Sequence, residues 1–509
     1  MTSEPADLAS RAAETHVVVI GGGIGGLIAA RECAKVGMRV TVLDAADAVG
    51  GAIRRAELDG VVVDAGAESF ATRGGHVRAL LAELGLTGRI VAPAAGGAWV
   101  AGLPGGDAAP LPVGGILGIP ANPFQEDVRR VIGWSGAWRA YLDRVRPPLT
   151  IGHNHSLGRL VSARMGVKVR DRLVAPVTTG VYSAAPEDVD VDIAAPGLNA
   201  ALTSVGSLSG AVQRLRDENA GRAAKAPGAA VEGLDGGMTV LVDALVADLT
   251  GLGAEVRTST RVTEVARHEQ GWQVTARIAG DADAAPAEDA PADSVSPDAA
   301  SEDAEDVVLS ADAVIVAVDE STARHLLSTA VPALAATAAA DAPEIEIVTL
   351  LLDAPELDAA PRGTGVLTVP GSHTAKALTH SSAKWGWVRD AANGRHVVRV
   401  SFGAQGESAA TSTLSDDDAA GLALAEASAL LGVDLPSARL VASHRSRFVQ
   451  SQPASIIGSR ERRAAARAAV QTEPGLAAVG AWLAGTGLAQ VIPDATTEAD
   501  RLRRALLWD

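Results

Sequence analysis

The chain has 509 residues, 47% of them hydrophobic, and a formal charge of −17, which leaves room for two or three domains around a sizeable core. Ten Asp and Glu and no Lys or Arg fall between residues 280 and 306, so the remainder carries only about −7, an ordinary value for solubility. The absence of a basic stripe and the low aromatic content (3%) argue against nucleic-acid binding, and a single cysteine, Cys33, excludes an internal disulfide or dithiol pair, so redox chemistry has to come from a cofactor.

Residues 1–15 are polar and acidic without an apolar h-region, which predicts a disordered tail rather than a secretory signal. The first strand is expected from His16. Val17-Val18-Val19-Ile20 then runs into Gly21-Gly22-Gly23-Ile24-Gly25-Gly26, a helix follows, and a second strand, Val40-Thr41-Val42-Leu43, closes on Asp44. The glycines at 21, 23 and 26 fit G-x-G-x-x-G. The first permits the sharp turn, the second lets a pyrophosphate approach the backbone, and the third packs helix on strand. The helix N-terminus offers N–H groups to phosphates, and Asp44 stands where a carboxylate accepts from ribose hydroxyls. Cys33, in that helix, is expected to pack against the sheet.

Further along, Gly50-Gly51 and Val61-Val62-Val63-Asp64-Ala65-Gly66 precede an amphipathic helix over 76–86, where Val77, Leu80, Leu81 and Leu84 recur at helical spacing. Gly and Pro between about 92 and 123 predict loops and short strands. Residues 124–180 read as helical, with Trp134 and Trp138 at i, i+4 on one face, read as core packing with a membrane-facing or cavity-lining patch as the alternative. Residues 210–230 read as a weakly helical or mobile connection. Gly236-Gly237-Met238 opens a helix through Leu249, short strands follow near 255–265, and Trp272 to Ile278 alternates as a strand that resumes at 306–310. The acidic run between them reads as a disordered insertion at a hairpin tip. Ala313 to Val318 is a strand buried on both faces; 345–352 and 396–402 belong to a different sheet; a last helix is expected over about 496–507. No eighteen-residue apolar stretch exists, so a spanning helix is not expected, and the setting reads as cytoplasmic with peripheral membrane contact left open. His153-Asn154-His155, with no Cys or carboxylate cluster nearby, reads as a solvated loop rather than a metal site.

The motifs in this order resemble those of the FAD-dependent porphyrinogen oxidases of haem biosynthesis, within the amine-oxidase-like flavoproteins. The broad marks are the 21–26 turn, Asp44, Gly50-Gly51, Gly236-Gly237-Met238, Val262 and Ala311 to Val318. The narrower ones are Asp64-Ala65-Gly66-Ala67-Glu68-Ser69-Phe70, Arg172 to Ser183 with its Gly180-Val181-Tyr182, Ser381-Ser382-Ala383-Lys384-Trp385, and Arg447-Phe448 followed by Pro453 and Gly458. Departures are Asp44 for Glu, Ala48 for a pyrophosphate-contacting Arg, Ala67 for Pro, Phe448 for Trp, and Ser455 and Ser459 for Tyr and His.

The resemblance implies a mixed α/β (α+β) architecture: a split Rossmann-type FAD-binding domain with an inserted substrate-binding sheet domain and a helical subdomain. The FAD-binding pieces are expected at 16–96, 231–344 and 446–509, the helical and substrate-binding insertion at 97–230 and the substrate-binding sheet at 345–445. FAD would be held by Gly21, Gly22, Gly23, Ile24, Gly25, Gly26, Asp44, Ala45, Gly50, Gly51, Gly66, Ala67, Glu68, Ser69, Val262, Phe448 and the Gly487-Leu488-Ala489 turn. No catalytic side chain is identified, because the flavin N5 carries the chemistry. Arg73 and Lys384 are candidates for substrate carboxylates, with a surface ion pair as the competing role of each; Gly180 and Tyr182 are candidates for the cavity wall, with core packing as the alternative for Tyr182. The implied reaction is oxidation of coproporphyrinogen III to coproporphyrin III with dioxygen, giving hydrogen peroxide. Protoporphyrinogen IX is the nearest alternative substrate; an amine oxidase, a desaturase and a non-catalytic flavin-binding porphyrin carrier are the others. The implied partners are the porphyrinogen, dioxygen and, transiently, the next enzyme of the haem pathway.

Overall fold

The computed structural model describes residues 5–146, 155–218, 231–269, 271–278, 305–336, 339–449 and 455–508. The nucleotide-type sheet has five parallel strands in the order Glu255–Arg257, Arg39–Leu43, His16–Ile20, Ala313–Val316, Leu476–Ala478. Its central strands are nearly all apolar because both faces are covered. Val17, Val19, Val40, Val42, Ala313 and Ile315 point into one core, shared with helices Ile24–Ala34, Thr239–Gly251 and Leu488–Trp508. The alternate residues Val18, Ile20, Leu43, Val314 and Val316 point into another, shared with Trp272 and Val274 of a three-stranded antiparallel sheet. That second sheet pairs Gly271–Ile278 with Glu305–Ala311, the interrupted hairpin read from the alternation; most of the acidic run lies outside the described residues. Cys33 is buried in the first core.

Four expectations are corrected. A helix, Pro5–Glu14, stands where a disordered tail was expected: Ala12 is buried in the first core, and Arg11 Nη2 donates to Leu506 O at 3.1 Å. The last helix starts earlier, at Leu488, and runs through Pro493. A well-formed helix occupies Leu208–Glu218, within the stretch read as a weak connection, whose remainder lies outside the described residues. Trp134 and Trp138 are not core residues; they are 61% and 58% exposed, with Trp138 edge-on to Phe124 and Arg129 stacked 4.4 Å over Trp134. The Gly133 backbone leaves the helical conformation (φ 69°, ψ 171°) immediately before them, which interrupts the helical face read from their spacing. Of the His153-Asn154-His155 run only His155 is described; it is exposed, 3.6 Å from Asp190.

The large sheet has seven strands, in the order Leu440–Val449, Glu344–Leu352, His396–Phe402, Ala377–His380, Gly365–Thr368, Ala98–Leu103, Asp107–Pro110. Two of these strands come from the Gly/Pro-rich stretch, and the Leu440–Val449 strand runs past residue 445, so Phe448 is a sheet residue. One face is sealed: Val348, Leu350, Val366, Leu378, Val398 and Val400 pack with helix Asp416–Leu431. On the other face, register aligns Ser446, Ile347, Ser401, Ala377 and Leu367 in one rung, and His444, Thr349, Arg399 and Thr379 in the next. Several of these are only half-buried. At Leu367 this face meets a helical core built from Glu126–Tyr141, Leu157–Met165, Ala175–Tyr182, Leu198–Val205 and Leu208–Glu218.

Candidate active site

The glycine turn divides its labour as the spacing predicts, with one refinement. Gly21 has φ +102°, and a Cβ there would lie 2.6 Å from Ala317 O, so the sharp turn requires glycine. A Cβ on Gly26 would collide with Gly21 O, which fixes helix against strand. Gly23 differs. Its backbone is extended (φ −67°, ψ 170°), open to any residue, and a Cβ there would meet only Gly51 Cα, at 4.0 Å. Nothing in the protein demands glycine at 23. The helix it caps has no side-chain cap on its first turn, so the N–H groups of that turn face the space a side chain at 23 would fill.

The surrounding elements close on that space. Gly50 N donates to Gly22 O at 2.9 Å, which brings Gly50-Gly51 beside Gly23. Asp44 is more than a ribose acceptor: its Oδ2 accepts from Gly22 N at 2.5 Å and its Oδ1 from Ala46 N at 2.8 Å, so the carboxylate fastens the turn. Each oxygen keeps a further lone pair for a hydroxyl. Thr260 N donates to Asp44 O at 2.8 Å and Ser259 N to Ala46 O at 2.7 Å, which brings the segment leading to Val262 alongside Asp44-Ala45. From the far end of the chain, Gly480 lies 3.1 Å and Val491 3.4 Å from a Cβ placed on Gly25. The Gly487-Leu488-Ala489 turn opens the last helix there, and a Cβ placed on Gly487 would meet nothing nearer than Gln490 Oε1 at 3.8 Å. Ala48 is exposed and adds no charge, but Arg54, which the motif reading missed, puts its Nε 3.1 Å from Gly51 O.

An ionic cluster joins this turn to the large sheet. Glu68 accepts from Lys384 Nζ at 2.5 Å, Arg399 Nη1 at 3.0 Å and Ser381 Oγ at 3.2 Å. Burial works to raise the Glu68 carboxyl, but the charges and hydrogen bonds of Lys384 and Arg399 outweigh it and hold it down to about 2. Arg399 also donates to Ala65 O at 2.9 Å and Gly66 O at 2.5 Å, clamping the backbone of the 64–70 motif. Asp64, at the motif's start, accepts from Met238 N at 2.8 Å, and burial pushes its carboxyl up to about 7 against that bond and the Arg399 charge. Gly66 has no room for a Cβ, which would collide with Ala52 O and stand 3.2 Å from the Phe448 ring. Gly66, Ala67, Glu68, Ser69 and Phe448 therefore gather at one place.

Of the two roles open to Lys384, the ion pair is the one present here: it donates to Glu68 and lies 5.1 Å from the buried Trp385 ring. Arg73 remains exposed, and its charge acts on the half-buried Tyr182 hydroxyl, whose pKa burial raises and Arg73 lowers, with burial the larger effect. Gly180 packs on the large sheet, since a Cβ there would approach Leu367 Cδ2 at 2.6 Å. Arg399 and Lys376 went unnoticed in the sequence, because neither falls in a motif and both acquire partners through sheet register. Among the described residues there is no group of His, Cys, Asp and Glu suited to a metal, and no helix long and apolar enough to cross a membrane.

A parallel nucleotide sheet assembled from three separated segments, with a three-stranded antiparallel sheet packed on one of its faces, defines a class of dinucleotide-dependent proteins. The chain belongs to the family of flavin containing amine oxidoreductases, whose profile matches residues 24–503. It is 29% identical to a coproporphyrinogen III oxidase of Mycobacterium leprae (strain TN), over 96% of this chain and 97% of that one. It is 28% identical to a coproporphyrinogen III oxidase of Propionibacterium freudenreichii subsp. freudenreichii, over 97% and 92%. A solved structure from Exiguobacterium sp. 255-15, provisionally named a protoporphyrinogen oxidase, shares the fold at a TM-score of 0.77 and 21% identity, covering 96% of this chain and 98% of that one. A turn built for a dinucleotide in a flavin-containing family makes the cofactor FAD, and the open space at Gly23 and Gly487 fits it.

Proposed function

We propose that this chain oxidises coproporphyrinogen III to coproporphyrin III, with dioxygen as acceptor and hydrogen peroxide as the second product. The observation that carries the reading is the likeness to relatives named for that substrate over 96–97% of this chain, which takes in the nucleotide sheet, the helical region and the large sheet. The geometry supports it. The half-buried face of the large sheet runs from Phe448 beside Gly66 to Leu367 beside Gly180, about 19 Å across at the usual strand spacing, a width that suits a tetrapyrrole macrocycle.

Conversion of the porphyrinogen removes six electrons and six protons in three rounds, and three dioxygen molecules leave as three of hydrogen peroxide. Bound FAD supplies the hydride acceptor at N5 and the electron path to dioxygen. The chain positions the reactants. Gly23 and the first turn of its helix receive the pyrophosphate, Asp44 and the 259–262 segment hold the adenosine side, and the Gly66–Phe448 contact closes the protein against water beside the ring system. The Arg399 clamp on Ala65 and Gly66 keeps that wall in place. Pyrrole N–H protons pass to solvent, and no dedicated base is required.

Anaerobic mixing tests the reading. Coproporphyrinogen III should bleach the flavin absorbance in a rapid phase that takes up two of the six electrons, and porphyrin fluorescence should rise when dioxygen is then admitted. Flavin that stays oxidised, or that is bleached only by an amine or only by protoporphyrinogen IX, would overturn it.

A further inference from the structure

Lys376 lies outside every motif and outside the ionic cluster. It precedes the strand Ala377–His380, and its main chain is held in the large sheet by Lys376 N to Ser401 O at 2.9 Å. Its side chain turns toward the helical region, where Nζ donates to Ser183 Oγ at 2.7 Å. Ser183 is buried and left-handed (φ 54°, ψ 29°) at the C-terminal end of the helix that carries Gly180 and Tyr182. That strained position holds the hydroxyl next to the sheet. Gln405 N donates to Ser183 O at 3.0 Å, and the Gln405 side-chain oxygen is buried without a partner. The Lys376 carbonyl lies 3.8 Å from a Cβ built on Gly180.

Among the described residues, no carboxylate pairs with Lys376. Burial alone acts on its ammonium and pushes it down to about 7. A half-buried lysine without a counter-ion is costly for the fold, and it contrasts with Lys384, neutralised by Glu68 in the same domain. A cation held this way, beside a hydroxyl and close to Tyr182 and the Arg73 field, is suited to an anion that arrives with the substrate.

We infer that Lys376 and Ser183 form a carboxylate subsite, with Lys376 a specificity-determining residue that takes one propionate-type carboxylate of the substrate while Arg73 serves another from the exposed side. The inference rests on the porphyrinogen reading and refines it, since the number of carboxylates distinguishes the candidate macrocycles. No covalent bond is made or broken, and the bound carboxylate favours the protonated, ammonium form of Lys376.

The test compares the FAD-loaded parent with Lys376→Met, Lys376→Arg and Ser183→Ala. Each is titrated with coproporphyrin III and with its tetramethyl ester, and each is assayed for KM and kcat with coproporphyrinogen III. Loss of a charge-assisted contact predicts a KM and a coproporphyrin Kd raised roughly tenfold in Lys376→Met, with flavin content and kcat within about twofold. Smaller losses are expected in Ser183→Ala, partial rescue in Lys376→Arg, and no change in ester binding. Equal losses for acid and ester, or an unchanged KM in Lys376→Met with an active parent, would overturn the subsite alone. A parent that neither binds nor oxidises the coproporphyrin series overturns the porphyrinogen reading and the subsite with it.

Discussion

Replacing Gly23 with valine separates the demands of the fold from those of the cofactor. The backbone at 23 is extended, and a new Cβ finds only Gly51 Cα at 4.0 Å, so the apo-fold should tolerate the change. Exchanging Gly for Val, a much poorer N-cap, costs up to about 1 kcal/mol, a melting shift of about 1–2 °C for a chain of this size. The same methyls occupy the space into which a phosphate must come to reach the helix N–H groups. Losing one charge-assisted hydrogen bond is worth about 1.5–3 kcal/mol, or roughly 10- to 150-fold in affinity. Two measurements suffice: flavin absorbance per polypeptide after purification, and thermal melts of flavin-stripped parent and variant, so that ligand stabilisation does not enter. The expected result is a colourless Gly23→Val protein that melts with stripped parent. Gly26→Val, whose side chain would collide with Gly21 O, should lose the fold. A yellow Gly23→Val protein at normal stoichiometry, or one whose apo-form has collapsed, would refute the reasoning.

Three further outcomes follow from the cluster and the cleft. Glu68→Gln leaves the half-buried Lys384 and the buried Arg399 without their counter-charge. Because the folded carboxyl titrates near 2 and the unfolded one near 4.5, its contribution is present above about pH 4.5 and is lost as pH falls toward 2; the variant should be less stable by about 3 kcal/mol at pH 7, with the acid-dependent slope gone, in denaturant titrations at stepped pH. Asp64 has the opposite sign: its folded carboxyl is raised to about 7 from 3.8, so stability is full below about pH 4 and declines as pH rises through 7. Asp64→Asn should flatten that decline in melts between pH 4 and 8 while keeping the Met238 N–H bond, and an unchanged slope would rule out Asp64 as its source. Gly180→Ala meets the movable tip of Leu367, so the fold should hold while KM for the porphyrinogen rises several-fold; an unchanged KM removes Gly180 from the substrate wall.

The legible parts of the chain were those in which local pattern and tertiary role coincide. The runs Val17–Ile20, Val40–Leu43 and Ala313–Val316 are apolar because parallel strands are covered on both faces, and they form adjacent strands. The glycine turn could be assigned position by position because turn, approach and packing make different demands. Helix Pro5–Glu14 was not visible, since Leu8 is its one large apolar residue; Leu8 and Ala12 pack on the first core and Arg11 donates to Leu506 O, with no apolar stripe to mark them. The pairing of Lys384 with Glu68 is invisible to local pattern because the two lie 316 positions apart. Arg399 and Lys376 escaped for the same reason: register decides that Arg399 faces the 64–70 motif while its neighbour Val398 faces the sealed core, and no local spacing carries that information.

The central claim is that the cradle and the sheet face serve porphyrinogen oxidation. A side-by-side aerobic assay of the FAD-loaded protein with coproporphyrinogen III and protoporphyrinogen IX, reading porphyrin fluorescence and peroxide together against the no-enzyme autoxidation rate, tests it most directly. The account predicts faster turnover of coproporphyrinogen III, with three peroxides per porphyrin. Porphyrin formation no faster than autoxidation, with peroxide appearing only when an amine is supplied, would contradict it.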